Sequence, residues 1–182
     1  MNRSIIQKLT TMSILISVSI ILIVILRFPF LTVQFLEYDA GDIPILVGGF
    51  IYGPLAGIVM TVVASIVQAV TVSSASGWIG CLMHIFATST LVGISGLIYS
   101  RNKTLKRAII GLICGSIAMT AIMILLNLIF YPLFTGTPVM EVVKLIIPVL
   151  LPFNIMKAGI NSIITLLIYK SIGKVLRHIA LK

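Results

Sequence analysis

The sequence predicts an all-α integral membrane protein with six transmembrane helices, of which the second is short. Of its 182 residues, 59% are hydrophobic and only 9% are charged, and its mean hydropathy is +1.23, whereas about a quarter of the residues in soluble domains are charged. Its apolar residues form runs that are separated by short polar connections. One span takes about 20 apolar residues, so residues 1–182 form a single transmembrane domain with no room for a soluble catalytic domain.

The first three apolar runs flank the main polar loop. The first run covers about residues 8–26 and ends before Pro29 and the polar stretch 34–42. Because no small-x-small cleavage site follows it, we predict a retained helix rather than a signal peptide. The second run, residues 43–52, would cover only about half of the hydrocarbon core at ~1.5 Å per residue. The third run covers about residues 55–72.

The last three runs are long enough to cross the bilayer. They cover about residues 78–99, 108–130 and 142–172. We expect Pro148 and Pro152 to bend the first half of the sixth run, because proline cannot complete the helical hydrogen-bond ladder.

The charge pattern predicts the orientation. Basic residues precede the first run and fill the loop 101–107, whereas three of the four acidic residues lie in the first connection. These three are Glu37, Asp39 and Asp42. With six spans, the positive-inside rule places both termini and the basic loop in the cytoplasm. The basic residues lie at the ends of apolar runs, so the net charge of +9 indicates contact with an anionic lipid bilayer and not with nucleic acid.

Motifs of catalysis or metal binding are missing from the sequence. The two cysteines, Cys81 and Cys114, have neither CxxC nor Cys/His spacing and are expected to be packing residues. There is no GxxxxGK[ST], HExxH or GxSxG motif, and no acidic pair inside a run. The sequence therefore predicts no catalytic residue, no metal and no cofactor, and it gives no support for an enzyme.

The polar residues inside the runs are the candidates for function, since a polar group in lipid needs a partner. In LPFNIMKAGIN, Asn154, Lys157 and Asn161 recur at i, i+3 and i+7 on one helical face. Amide and ammonium groups suit the polar edge of a ring or a sugar-alcohol chain in a cavity. Alternatively, Lys157 extends to an interface or pairs with a carboxylate.

Three further polar side chains lie in the runs. Asn127 alone is more typical of an interhelical hydrogen bond, but with Asn154 it could line one pocket if runs five and six are neighbours. His84 is expected to be hydrogen-bonded structure, and neither His84 nor Gln68 is included in the predicted site.

The segment YDAGDIPILVGGFIYGPLAGI, residues 38–58, joins an acidic loop to a glycine-rich short helix. Asp42 is expected to cap this helix, and Gly48 and Gly49 allow close helix contact. The same loop could also cover a ligand, since irregular backbone at membrane depth is tolerated where it lines a cavity.

These two segments, with Asn127 between them, resemble the riboflavin-specific S-component of energy-coupling-factor (ECF) vitamin transporters. The resemblance runs in matching order from about residue 31 to Asn161. It implies a six-helix substrate-capture subunit in the cell membrane with both termini in the cytoplasm. In this family, the vitamin binds near the outer face, under the loop between the first two helices and against helices four to six.

The resemblance also implies which residues contact riboflavin. Polar contacts would come from Asn127, Asn154 and Lys157. The covering loop would contribute Leu36, Tyr38 and Gly41, of which the first two would contact the planar ring.

The family delivers its vitamin by docking onto an ECF module of one membrane coupling subunit and two ATPase subunits. Docking uses small residues spaced by four on the first helix, and here Ser13 and Ser17 replace the usual alanines; packing within the bundle is the alternative. Three other functions remain open: an S-component for another small vitamin, a structural or regulatory membrane protein, and a stand-alone facilitator.

Overall fold

The computed structural model describes residues 3–30, 33–72 and 77–180. Its elements follow in the order α1 (Arg3–Ile25), β1 (Phe28–Phe30), β2 (Val33–Tyr38), α2 (Asp42–Tyr52), α3 (Pro54–Val70), α4 (Gly77–Arg101), α5 (Leu105–Thr135), α6 (Val139–Leu145), a π turn (Ile146–Leu150) and α7 (Leu151–Ala180). Since α6, the π turn and α7 follow one another without a break, the described residues form six helical segments.

Four helical stretches in the described part of the chain are long and apolar enough to cross a membrane. They are Arg3–Ile25, Gly77–Arg101, Leu105–Thr135 and Val139–Tyr169. Helix α2, with 11 residues, and α3, with 17 residues, are shorter. At ~1.5 Å per residue, α2 extends over only about half of the hydrocarbon core. The predicted helical membrane fold with a short second helix is therefore confirmed.

The surface of the bundle is apolar and part of its interior is polar. Large aliphatic side chains such as Ile14, Ile117 and Leu167 are more than half exposed, whereas Ser95 and Thr165 are fully buried. This distribution suits a solvent of lipid tails, which offer no hydrogen-bond partner to an exposed polar group.

Helix α2 is buried among the other helices, and its glycines permit that position. A Cβ atom at Gly48 would lie 2.6 Å from the sulfur of Met60, and one at Gly49 would lie 2.8 Å from Val92 Cγ1. Both distances are shorter than real Cβ contacts, so a larger residue at either position would require the Met60 or Val92 side chain to move. The predicted close contact at Gly48 and Gly49 is confirmed.

The predicted capping role of Asp42 is wrong. The residue before α2 is Gly41, no side chain caps the helix, and Asp42 is the first helical residue. Its carboxylate instead accepts hydrogen bonds from Thr88 Oγ1 at 2.7 Å and from Asn161 Nδ2 at 3.1 Å. The hydrogen-bond partners of Asp42 therefore lie on other helices and not in the first turn of α2.

A β-hairpin between α1 and α2 was not predicted. Strands β1 and β2 pair antiparallel, with Phe28 opposite Tyr38 and Pro29 opposite Glu37. The first strand has only three residues, and its central Pro29 is typical of a helix end. The hairpin packs on α7 through Phe30 and Phe153, whose ring centroids are 5.2 Å apart.

The sixth segment is interrupted at Pro148, where we expected a bend. This proline lies in the π turn between α6 and α7, since a residue without an amide hydrogen disturbs the α-helical ladder. Pro152 is the second residue of α7 and follows directly on the π turn, so both prolines lie at the interruption of the sixth segment.

Candidate functional site

A cavity of about 200 Å³ lies between the hairpin and the helices. It is bordered by the N-terminal part of α4, the C-terminal part of α5 and the first turns of α7. The polar and charged residues among those that line it are Arg27, Glu37, Asp39, Gln68, His84, Thr88, Asn127, Tyr131, Asn154 and Lys157. Most of its other lining side chains are aromatic, aliphatic or methionine, a mixture typical of small-molecule sites.

The three predicted polar contacts meet at this cavity. Asn154 and Lys157 reach it from α7, and Asn127 reaches it from α5. The amide nitrogen of Asn127 donates to Met123 O of its own helix at 2.8 Å, rather than to a neighbouring helix. Helices α5 and α7 are packed together, so Asn127 and Asn154 line one pocket, as expected if these helices were neighbours.

Asn154 carries an acceptor without a partner. The residue is fully buried, and its Nδ2 donates to Leu150 O at 2.7 Å. Its Oδ1 has no hydrogen-bond partner among residues 3–30, 33–72 and 77–180. Leaving a buried acceptor unpaired costs about 1–3 kcal/mol. At the wall of a cavity, such an atom indicates a site for a ligand that donates a hydrogen bond.

Lys157 forms a buried ion pair. Its Nζ donates to Asp39 Oδ2 at 2.7 Å, and the residue is 8% exposed. Pairing with a carboxylate, one of the alternatives for this lysine, is therefore present, and the lysine still lines the cavity. An ammonium group has three donors, and the bond to Asp39 uses one of them.

The loop residues predicted to cover a ligand are buried beside the cavity. Leu36 lines it, whereas Tyr38 and Gly41 are not in its lining. The Tyr38 hydroxyl donates to Asn161 Oδ1 at 2.9 Å. Burial, and then the neighbouring Asp39 carboxylate, raise the pKa of the Tyr38 phenol, so it remains a donor.

Gly41 is held against α1. Its carbonyl accepts a hydrogen bond from Ser19 Oγ at 2.7 Å, and a Cβ atom here would lie 2.6 Å from Ile23 Cγ1. The absence of a side chain thus allows the loop to lie close to α1.

Asn161 anchors the loop and was not included among the predicted site residues. It accepts from Tyr38, and its Nδ2 donates to Asp39 O at 3.2 Å and to Asp42 Oδ2 at 3.1 Å. The sequence contains an indication of this role, because its spacing places Asn161 on the same helical face as Asn154 and Lys157.

His84 is hydrogen-bonded structure, as expected, and it also lines the cavity. Its Nδ1 lies 2.7 Å from Ser65 Oγ, and its Nε2 lies 3.6 Å from Asp42 Oδ1. Gln68 lines the cavity too. Neither residue could be assigned to the site from the sequence, since each is a single polar residue in an apolar run.

An ion pair at the hairpin was missed. Arg27 donates through Nε to Glu37 Oε2 at 2.7 Å and through Nη1 to Val72 O at 2.7 Å. In the sequence, Arg27 is only the end of the first apolar run, and its partners are remote from it along the chain.

The two serines proposed for docking lie away from the cavity. Ser13 and Ser17 are both exposed on the outer face of α1, and Ser17 Oγ donates to Ser13 O at 3.0 Å. Their side chains are therefore available to another protein in the membrane and do not pack within the bundle.

Comparison with known proteins agrees with this architecture. The chain is similar to the riboflavin transporter FmnP of Bacillus subtilis (strain 168), with 27% identity over 173 residues and 90% of each chain covered. It is 29% identical over 180 residues to the riboflavin transporter RibU of Staphylococcus aureus (strain TCH60), covering 95% of this chain and 94% of the relative.

A solved structure has a similar fold. It was described under "Structure and mechanism of the S component of a bacterial ECF transporter", and it matches with a TM-score of 0.79 and 28% identity over 93% of this chain and 97% of the other. Residues 7–169 match the model of the family "ECF transporter, substrate-specific component". This multi-pass membrane protein therefore belongs to the substrate-specific components of ECF transporters.

Proposed function

We propose that this chain captures riboflavin from outside the cell and delivers it inward by docking to an ATP-driven ECF module. The observation that carries the proposal is that Asn154, which lines the cavity, has a buried Oδ1 without a hydrogen-bond partner in the described part of the chain. Two relatives that span nearly the whole chain are named riboflavin transporters, which supports the choice of ligand.

The cavity offers what a flavin ring requires. The pyrimidine edge of the flavin carries one N–H donor between two carbonyl acceptors, which Asn127, Asn154 and Lys157 can satisfy. The apolar faces of the ring find aromatic and aliphatic neighbours in Phe153 and Leu36. In this proposal, the loop that carries Tyr38 and Gly41 covers the ligand.

The proposed orientation places both termini in the cytoplasm. The cavity is near the N-terminal end of α4 and the C-terminal end of α5. The basic loop 101–107 joins the opposite ends of these helices. The positive-inside rule puts that loop in the cytoplasm, so the cavity faces outward.

Docking of this subunit is proposed to use the exposed face around Ser13 and Ser17. Small residues spaced by four permit close contact between helices, and the partner would be a membrane coupling subunit that works with two ATPase subunits. Ser13→Trp should therefore abolish riboflavin uptake by cells that carry the module, while the purified chain binds riboflavin as before. Normal uptake by this variant would exclude that face as the docking surface.

A titration tests the choice of ligand. The chain is purified in detergent and added to riboflavin while the quenching of flavin fluorescence is followed. We expect saturable quenching at or below micromolar concentrations and a yellow chromophore that co-purifies with the protein. If neither is observed, riboflavin is excluded, and another small vitamin or a purely structural role takes its place.

A further inference from the structure

We propose that His84 is protonated on both ring nitrogens and, through Asp42, holds the loop that covers the ligand, so that riboflavin binds more tightly at neutral than at alkaline pH. His84 is then a positioning residue, because it acts on the loop through another side chain. The effect on affinity rests on the proposed binding of riboflavin, whereas the charge of His84 can be measured without a ligand.

The Nδ1 atom of His84 faces a hydroxyl group that donates elsewhere. Ser65 Oγ donates to Thr61 O at 2.7 Å, and the same Oγ lies 2.7 Å from His84 Nδ1. A hydroxyl group has one proton to donate, but it also accepts hydrogen bonds, whereas a carbonyl oxygen only accepts. Ser65 Oγ therefore accepts from Nδ1, and Nδ1 carries a proton.

The Nε2 atom of His84 faces two oxygen atoms. It lies 3.6 Å from Asp42 Oδ1 and 3.4 Å from Thr88 Oγ1. The Thr88 hydroxyl donates its own proton to Asp42 Oδ1 at 2.7 Å. An unprotonated Nε2 would direct its lone pair at a carboxylate and at a hydroxyl oxygen whose proton is in use, whereas a protonated Nε2 is attracted to both. Both ring nitrogens thus carry protons, and His84 is a cation.

The buried charges near this ring balance when it is a cation. Asp39 and Asp42 are 5% and 0% exposed, Lys157 is 8% exposed, and no other Asp, Glu, Lys or Arg is buried in the described part of the chain. The Lys157 ammonium group binds Asp39. Without the imidazolium, Asp42 would have hydrogen bonds only from the neutral groups of Thr88 and Asn161. A buried carboxylate is costly unless a cation accompanies it.

Of the groups that surround this ring, imidazole alone titrates near neutral pH. The titratable and charged groups around His84 are Asp42 on α2, Asp39 and Glu37 in the hairpin and its loop, Arg27 after α1, Tyr131 on α5 and Lys157 on α7. Carboxylates ordinarily titrate near pH 4, and phenol, ammonium and guanidinium groups near pH 10 or above. A change in binding just above neutral pH therefore points to His84.

Asp42 connects the imidazolium to the covering loop. It is the first residue of α2, and its Oδ2 accepts from Asn161 Nδ2 at 3.1 Å. The same Nδ2 donates to Asp39 O at 3.2 Å, and Asn161 Oδ1 accepts from the Tyr38 hydroxyl at 2.9 Å. A carboxylate that is fixed by the imidazolium thus fixes Asn161, and Asn161 fixes the loop.

Loss of the imidazolium should weaken binding through this connection. The apparent dissociation constant of a ligand is its intrinsic constant divided by the fraction of molecules in the binding-competent state. When His84 loses its proton as the pH rises, Asp42 loses its cation, and fewer molecules have the loop in place. Affinity should therefore fall with increasing pH.

The charge of His84 is measured directly by NMR. The chain is purified in detergent with ¹⁵N-labelled histidine and with His178→Gln, which leaves His84 as the single histidine. At pH 7 we expect both ring nitrogens to have the chemical shifts of protonated nitrogens, with and without riboflavin. Adding Asp42→Asn removes the anion that stabilises the charge and should give a neutral ring. A neutral ring in the chain that retains Asp42 would overturn the inference.

A matched control removes an exposed carboxylate. Glu141 pairs with Lys144 at 2.6 Å, and both side chains are more than half exposed. Glu141→Gln changes the net charge of the chain as Asp42→Asn does, and it should leave the spectrum of His84 unchanged. An equal change in both variants would show that Asp42 has no specific effect on the ring.

The effect on the loop is measured as riboflavin affinity at pH 7 and pH 9. Dissociation constants are obtained by fluorescence quenching for the His178→Gln chain, with and without His84→Gln. We expect the constant to rise about tenfold between these pH values when His84 is present and to change less than about twofold in His84→Gln.

Two binding results would overturn the role of His84. The first is an affinity that is the same at both pH values in the chain that retains His84. The second is an equal pH dependence in His84→Gln, which would assign the effect to another group. A chain that binds no riboflavin at either pH would instead overturn the proposed function and the effect on affinity with it, while the NMR spectrum would still decide the charge of His84.

Discussion

Helices α4 and α5 touch through backbone atoms at one end and line a cavity at the other. At the closed end, a Cβ atom at Gly111 would lie 2.8 Å from Ser95 O, and one at Gly115 would lie 2.7 Å from Leu91 O. Ser95 Oγ also donates to Gly111 O at 3.0 Å. Residues without side chains thus bring the two helices together.

At the open end, the same helices carry larger side chains that line the cavity. One turn beyond Gly115, Met119 is the first residue of α5 in the cavity lining, followed by Met123 and Asn127. The facing part of α4 contributes Met83 and other residues on its first three turns. Gly111 and Gly115 of α5 thus allow the close contact with α4, and the part of α5 that lines the cavity begins one turn after Gly115.

Filling the closed end should have the largest effect. Overpacking typically costs about 1–3 kcal/mol, and in Gly115→Leu the cost should exceed this range, because the new side chain would overlap a backbone carbonyl of α4 that cannot move aside as a side chain can. We expect a large fall in the thermal midpoint of unfolding in detergent, together with loss of flavin binding.

The matched control for Gly115→Leu is Gly159→Leu on α7. A Cβ atom at Gly159 would meet no heavy atom of the described residues within 4 Å, and replacing a mid-helix glycine stabilises a helix by up to about 1 kcal/mol. Equal midpoints for the two variants would show that the close contact at Gly115 does not hold the helices together.

At the open end, two substitutions should separate stability from binding. Lys157→Ala leaves the Asp39 carboxylate buried without its partner, which costs about 3–5 kcal/mol, and it also removes a ligand contact. Asn154→Ala removes an Oδ1 that has no partner in the described residues. It should therefore weaken riboflavin binding about tenfold or more while changing the unfolding free energy by only about 1 kcal/mol.

Riboflavin affinity is measured by flavin titration, and stability is measured by thermal unfolding. Lys144→Ala is the control, because it breaks the exposed pair with Glu141 and should change stability by less than about 1 kcal/mol. If Lys157→Ala is no less stable than Lys144→Ala, the buried pair does not hold the loop. A strong loss of stability in Asn154→Ala would assign that residue to structure.

The smallest effect is expected at the closed end of the bundle. The hydroxyls of Tyr99 and Tyr169 are 3.0 Å apart, and neither residue lines the cavity. Tyr99→Phe should lower the unfolding free energy by about 1 kcal/mol, the typical net value of one hydrogen bond. Riboflavin affinity should stay the same, and an altered affinity would show that the two ends are coupled.

The helices and part of the site could be predicted because their signals are local. Hydropathy gives the apolar runs, and the spacing of Asn154, Lys157 and Asn161 follows from helical periodicity. The glycines at 48 and 49 likewise indicate close contact wherever their helix lies.

The partners of these residues could not be predicted, since they depend on contacts between distant segments. Asp39 and Lys157 are 118 residues apart in the chain, and only the folded loop brings them together. Asp42 illustrates the same difficulty, because its local role as a cap was plausible and its partners lie on α4 and α7. The hairpin was missed because a three-residue strand with a central Pro29 has no alternating pattern to detect.

A crystal structure of the chain with bound riboflavin would show directly whether the cavity is the binding site. We predict that the flavin ring lies in the cavity between α4, α5 and α7, with its N–H group about 3 Å from Asn154 Oδ1. A flavin bound elsewhere, or one that leaves Asn154 Oδ1 without a ligand contact, would contradict the account.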